Sequence, residues 1–119
     1  MDAAEARRFA EHWYAAWNAH DLEAILEHYT DDVELTSPFV ASLAGDESGR
    51  LVGKSALRDY FAAGLERFPD LRFEPLELYV GVRSLVLRYV GPTGAETCEV
   101  IFLNDDGKVA RYFAHYARG

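Results

Sequence analysis

A chain of 119 residues, half of them hydrophobic and 27% charged, has room for one core and too much apolar content for disorder. Its net charge of −8, with no basic stripe, excludes nucleic acid as an expected partner and disfavours an anionic membrane surface. The single cysteine, Cys98, excludes an intrachain disulfide and a cysteine metal cluster, and it fits a reducing, cytoplasmic setting. Two Trp, seven Tyr and seven Phe either fill a core or line a cavity. Met1 to His20 is charged and amphipathic and does not read as a signal peptide, and no apolar run approaches the ~20 residues of a membrane span.

Asp2 and Glu5 have capping-box spacing, and Ala6, Phe9, Ala10, Trp13, Ala16 and Trp17 recur as one apolar face, so a first helix is expected. Asn18 to Asp21 breaks it. Asp21 is placed to cap a short second helix with Leu22, Ile25, Leu26 and Tyr29 buried. Thr30-Asp31-Asp32 is turn chemistry, and Val33 to Ser37 alternates as a strand that Pro38 ends. Residues 41–53 read as a loop, with room for a short hairpin. Ser55 is a candidate cap for a third helix, whose apolar positions run from Ala56 to Phe68 and which Pro69-Asp70 stops. Four strands follow, Leu71 to Val80, Val82 to Val90, Ala95 to Leu103 and Lys108 to Tyr116. Gly91 to Gly94 and Asn104 to Gly107 are tight connections that imply antiparallel pairing. Helices gathered against one sheet make an α+β arrangement.

Three stretches carry a family resemblance. Trp17-Asn18-Ala19-His20-Asp21-Leu22-Glu23-Ala24-Ile25, Tyr29-Thr30-Asp31-Asp32-Val33-Glu34-Leu35-Thr36-Ser37-Pro38, and Glu99-Val100-Ile101-Phe102-Leu103-Asn104-Asp105-Asp106-Gly107-Lys108-Val109 occur in that order. Gly53 to Leu57 supports them. The chain resembles the SnoaL-like, ketosteroid isomerase-like branch of the nuclear transport factor 2 superfamily. The resemblance implies a single SnoaL-like domain over residues 1–119. It implies a cone-shaped curved antiparallel sheet wrapped around a long N-terminal helix, with two further helices (a cystatin-like roll), an end-opening cavity and, commonly, a homodimer. The fold alone fixes no activity.

In ketosteroid isomerases a Tyr on the first helix and a protonated Asp on a late strand form an oxyanion hole, and an Asp before a Pro moves the proton. Those positions fall on Trp13, Glu99 and Ser37. One carboxyl of three is kept, which disfavours the usual steroid isomerase mechanism. Tyr14, about 100° around the helix from Trp13, does not simply replace the missing Tyr.

Glu99 is the sharpest candidate. Strand parity puts it with Thr97, Ile101 and Leu103, and the resemblance turns that face inward. There a carboxyl would have a raised pKa and act as a general acid or neutral donor, or else pair with an Arg or a Tyr hydroxyl. Ser37 would bind a ligand at the cavity mouth or cap the turn at Pro38. Tyr112 and Tyr116 would supply phenolic donors or pack. Trp13 and Trp17 would stack on a flat ligand or serve as core. Phe39, Tyr60, Leu87, Tyr89 and Ile101, with Leu85, would complete the wall.

His12 is expected in solvent, His20 in the helix break, and His28 as a cation at a helix end. His115 is expected to point away from the cavity, becoming a base candidate only if a bulge flips its strand. Arg88 and Arg111 lack the flanking carboxylates of an epoxide hydrolase. No cofactor is expected, since no metal-ligand spacing, phosphate loop or nucleophile elbow is present.

Val86, Val90, Val100 and Phe102 leave the outer sheet face apolar, which points to a homodimer through that face. The expected function is a cofactor-independent isomerase or cyclase moving protons on a small hydrophobic, steroid- or polyketide-like carbonyl compound. The alternatives are a non-catalytic small-molecule-binding homodimer and a structural dimer with a filled cavity.

Overall fold

A computed structural model describes residues 1–44 and 46–118. The order is α1 (Ala3–Asn18), α2 (Leu22–Leu26), β1 (Tyr29–Thr36), α3 (Pro38–Ala44), β2 (Arg50–Val52), α4 (Lys54–Arg67), β3 (Glu74–Val80), β4 (Ser84–Val90), β5 (Glu96–Leu103) and β6 (Val109–Tyr116). The α+β class expected from the sequence is the one found.

Asp2 starts α1 by accepting a 2.8 Å hydrogen bond from the Glu5 backbone N–H, and Asp21 does the same for α2 from Ala24 at 3.1 Å. These caps satisfy donors that have no partner inside the helix. Ser55 does not cap α4. Gly53 takes that place with φ +98°, a left-handed backbone that glycine tolerates, and no side chain bonds the helix end.

The six strands form one sheet in the order β2-β1-β6-β5-β4-β3. Four of its five pairings are antiparallel, three of them as the tight turns between neighbouring strands require, and β1 with β2 across α3. The fifth, β1 with β6, is parallel, a departure from the all-antiparallel sheet that hairpin signals suggest. β1 and β6 are far apart in sequence, so no turn between them could announce their direction. Thr30 to Asp32 is not a turn either: β1 runs through it, with its register to β6 shifting between Tyr29 and Glu34. The β3 strand starts at Glu74 rather than Leu71, while Leu71 and Phe73 are buried as core without pairing.

Residues 41–53 are not simply a loop. Pro38 opens a third additional helix, α3, and β2 follows as an edge strand against β1. Pro38 fits the first helical turn, where an N–H would be unpaired anyway. Ser37 is the cap: its hydroxyl accepts from the Phe39 N–H at 3.2 Å, and its carbonyl accepts from Ala41 N–H. Gly49 closes the return. Its φ is +64°, its carbonyl accepts from Ser37 N–H at 2.9 Å, and a Cβ there would sit 2.7 Å from the Ser37 carbonyl oxygen.

The core lies between α1 and the inner sheet face. Trp13, Tyr14, Ala16 and Trp17 of α1 are buried together with Leu85, Leu87, Tyr89, Ile101 and Tyr112. Alternation along β4 and β5 follows period-2 geometry on that face, and β6 follows it from Tyr112 onward, after an irregularity between Val109 and Arg111 where its register to β5 shifts. Asn18 ties the end of α1 to the segment before β3. Its amide oxygen accepts from Phe73 N–H at 2.7 Å, and its amide nitrogen donates to Phe73 C=O at 3.2 Å.

A candidate acid site inside an aromatic core

Glu99 is 7% exposed, at the middle of β5, paired in register with Leu87 on one side and Ala114 on the other. Thr97 and Ile101 flank it on the same face, as parity predicts. The Tyr89 hydroxyl donates to Glu99 Oε1 at 2.7 Å, whereas the buried Oε2 has no partner. Burial pushes the carboxyl up to about 7, the Tyr89 hydrogen bond opposing the shift. Desolvation disfavours the charged form more than one hydrogen bond restores it.

Tyrosines surround this carboxyl. Tyr14, Tyr29, Tyr60, Tyr89, Tyr112 and Tyr116 are all held above the ordinary phenol range, first by burial, and each also feels the charge of Glu99. At neutral pH all six stay protonated and can donate. Tyr79 alone of the seven lies outside, half exposed on β3.

The Tyr29 hydroxyl accepts from Trp13 Nε1 at 3.0 Å, and Trp17 Nε1 lies beside it without a bond. The Tyr14 hydroxyl is buried and unpartnered. The Glu99 Oε2, the Tyr14 hydroxyl and the Trp17 indole N–H are thus buried polar groups without a hydrogen-bond partner, which is costly in a folded interior.

The rings themselves are close-packed. Phe73 stacks on Trp13 at 5.6 Å between ring centres and meets Tyr89 at 4.4 Å, while Tyr14 meets Tyr89 edge-on at 5.8 Å. Clefts open on the surface, two among them at the described elements. One of about 310 Å³ lies under α3, lined by Ser37, Ala41, Gly49, Ala114 and His115. The other, of about 510 Å³, lies between α1, α2 and the β5–β6 turn, lined by His12, Asp21, His28 and Lys108. Glu99 lines neither.

The expected site residues divide into four groups. Glu99, Tyr89, Tyr112, Trp13, Trp17, Leu87 and Ile101 are buried together in the core. Tyr60 and Tyr116 are half-buried near Ser37, whose hydroxyl partly offsets the upward shift of both phenols. Phe39 is 44% exposed and rests on Tyr116, their ring centres 4.5 Å apart. Ser37 is buried and serves as the α3 cap.

Tyr29 is buried, as its helical spacing with Leu22, Ile25 and Leu26 predicts, whereas Tyr14 and Phe73 are buried beside Glu99's partner Tyr89 although the α1 apolar stripe left Tyr14 out. Ala10, Tyr14 and Trp17 also have i, i+4, i+7 spacing, so the signal for Tyr14 was present. His115 is exposed, as parity predicts, and His20 bonds the Leu71 carbonyl at 2.8 Å. His28 departs from the expected cation. Its Nδ1 donates to Ala24 and Ile25 carbonyls, and burial lowers its pKa, so the neutral ring is favoured. Arg88 pairs with Glu96, and Arg111 lies over Phe102, its guanidinium 4.7 Å from the ring centre.

Among the described residues, no three His, Cys, Asp or Glu side chains converge to hold a metal, and no helix is long and apolar enough to cross a membrane.

This arrangement has relatives. A SnoaL-like protein of unknown function from Burkholderia thailandensis is 42% identical, with 98% of each chain covered and a TM-score of 0.96. A candidate SnoaL-like isomerase from Agrobacterium tumefaciens (17% identity, 97% and 99% covered, TM-score 0.76) shares the fold. So does a candidate polyketide cyclase from Sinorhizobium meliloti (18%, 97% and 100%, TM-score 0.74). No curated protein matches the sequence. The SnoaL-like domain family matches residues 10–116, nearly the whole described fold, and the chain belongs to that family.

Proposed function

We propose that the protein is a cofactor-independent isomerase or cyclase that moves protons on a small hydrophobic carbonyl compound of steroid- or polyketide-like shape. One observation carries this reading: Glu99 is buried with Oε2 unpartnered and its carboxyl poised near pH 7. A group that titrates at the working pH both accepts and returns protons efficiently. Fold neighbours bearing the names isomerase and polyketide cyclase are consistent with it.

In this scheme Glu99 Oε2, as carboxylate, takes a proton from the carbon next to the substrate carbonyl. The C–H electron pair moves into the enolate, and the idle Tyr14 hydroxyl donates to the oxygen where charge gathers. Protonated Glu99 then returns the proton to another carbon, or to a departing oxygen in a cyclising dehydration. Tyr89 holds the carboxyl in place through Oε1. Tyr112 and Tyr116 add donors, the aromatic walls hold the ring system, and Ser37 stands near the mouth.

We further propose that two copies pair through the outer face of β4–β6. Val86, Val100, Phe102 and Phe113 are only half-buried there. No other layer of the chain covers them among the described residues, and Arg88 and Arg111 are already engaged with Glu96 and Phe102.

A non-catalytic binder is the second reading. It is favoured by Ser37, which occupies the proton-moving position with a hydroxyl already used as a helix cap. Deuterium exchange separates the two. With 2-tetralone in D2O, the wild type should accelerate exchange of the α-hydrogens, with the rate rising through about pH 7 as Glu99 ionises, and Glu99→Gln should lose at least about 100-fold. Exchange no faster than buffer, with the ketone bound, would leave the binder.

A further inference from the structure

We infer that the way in to Glu99 passes between Ser37, Tyr60 and Tyr116, and that the Phe39 ring is the shutter over it. The inference rests on reading the Glu99 interior as the ligand site.

Exposure grades along this line. Phe39 is 44% exposed, Tyr116 and Tyr60 are half-buried, and Ser37 and Glu99 are buried. Among the described residues, the other sides of Glu99 are built from side chains with little exposure. Trp13 and Phe73 stack on the α1 side, and Leu85, Leu87 and Ile101 make the sheet side with almost no exposure. The four residues at the mouth come from the end of β1, from α3, from α4 and from the end of β6. Ser37 and Tyr116 lie at strand ends and Phe39 and Tyr60 on helices, so the Phe39 side chain can move without breaking a strand pairing.

The local build fits a moving ring on a fixed backbone. Phe39 N–H is held by the Ser37 hydroxyl, and the next residue, Val40, is 2% exposed and anchors α3 in the core. Phe39 itself rests on the Tyr116 ring and is 44% exposed. Rotation about its own χ1 uncovers Tyr116 and the Ser37 hydroxyl at the low cost and high speed of an exposed side-chain motion. Residue 39 therefore sets how bulky a molecule can enter, a specificity role distinct from proton transfer.

Trp13 and Trp17 are the chain's two tryptophans, and both lie in the wall beyond this mouth. Acrylamide quenching of their fluorescence reports access directly. Phe39→Ala should raise the quenching constant about twofold or more, Phe39→Leu should raise it less, and Val82→Ala, in an exposed turn, should leave it unchanged. Thermal melting of each variant verifies the fold, and Phe39→Leu decides if Phe39→Ala does not fold. Unchanged quenching in a folded Phe39 variant overturns the shutter. Increased quenching alongside tetralone exchange that Glu99→Gln does not affect would keep the shutter and refute the proton-transfer reading, so the two fail separately.

Discussion

At the residue scale, one carboxyl sets the chemistry. The Glu99 carboxyl ionises near 4.5 in an open chain and near 7 when folded. Between those values the folded protein holds a proton that the unfolded chain has released. Stability therefore falls as pH rises across that window and stays lowered above it, by up to about 3 kcal/mol. Glu99→Gln removes this burden. The variant should melt higher than wild type at pH 8 and match it near pH 4, a comparison that calorimetry at the two pH values makes directly. Equal melting temperatures at both would contradict a buried, reluctant acid. Parity along β5 made the inward direction of Glu99 legible, and Thr97 and Ile101 bear it out. The partner was less legible. Tyr89 reads as wall from the sequence, because nothing in β4 alone says that its hydroxyl meets a carboxyl across the sheet.

At the element scale, the joins between helices and strands position the walls. Asn18 clamps the backbone of Phe73 through both of its amide atoms, which seats the Phe73 ring between Trp13, Trp17 and Tyr89. Asn18→Ala leaves two Phe73 backbone groups without partners and should cost roughly 2 to 3 kcal/mol, measured by urea unfolding. A loss under about 0.5 kcal/mol would mean that the segment before β3 is held by other contacts. The Trp-Asn pair was visible in the sequence as a family motif, but its physical task was not, since it links residues 55 apart. The α3 helix was hidden for a different reason. Its seven residues are too few for helical periodicity to show, and its cap, Ser37, reads equally well as turn chemistry.

At the scale of the whole molecule, one sheet has two apolar faces and only one of them is covered by helices. Phe102→Asp places a charge on the uncovered face of β5 and should convert a dimer to a monomer in light scattering; an unchanged dimer mass would place the interface elsewhere. The direction of the β1–β6 pairing and the parallel step that it introduces required the folded chain, because both belong to contacts between distant segments. The α+β class and the order of the other elements, α3 and β2 apart, did not, because hydrophobic period and turn residues are local. On the proposed reading, the covered face encloses a carboxyl poised to exchange protons. The most direct test of that reading is a carbon-13 NMR titration of the glutamate carboxyls, with the Glu99 signal assigned by its absence in Glu99→Gln. A midpoint near 7 is predicted. A midpoint in the ordinary range, about 4.3, would contradict the account.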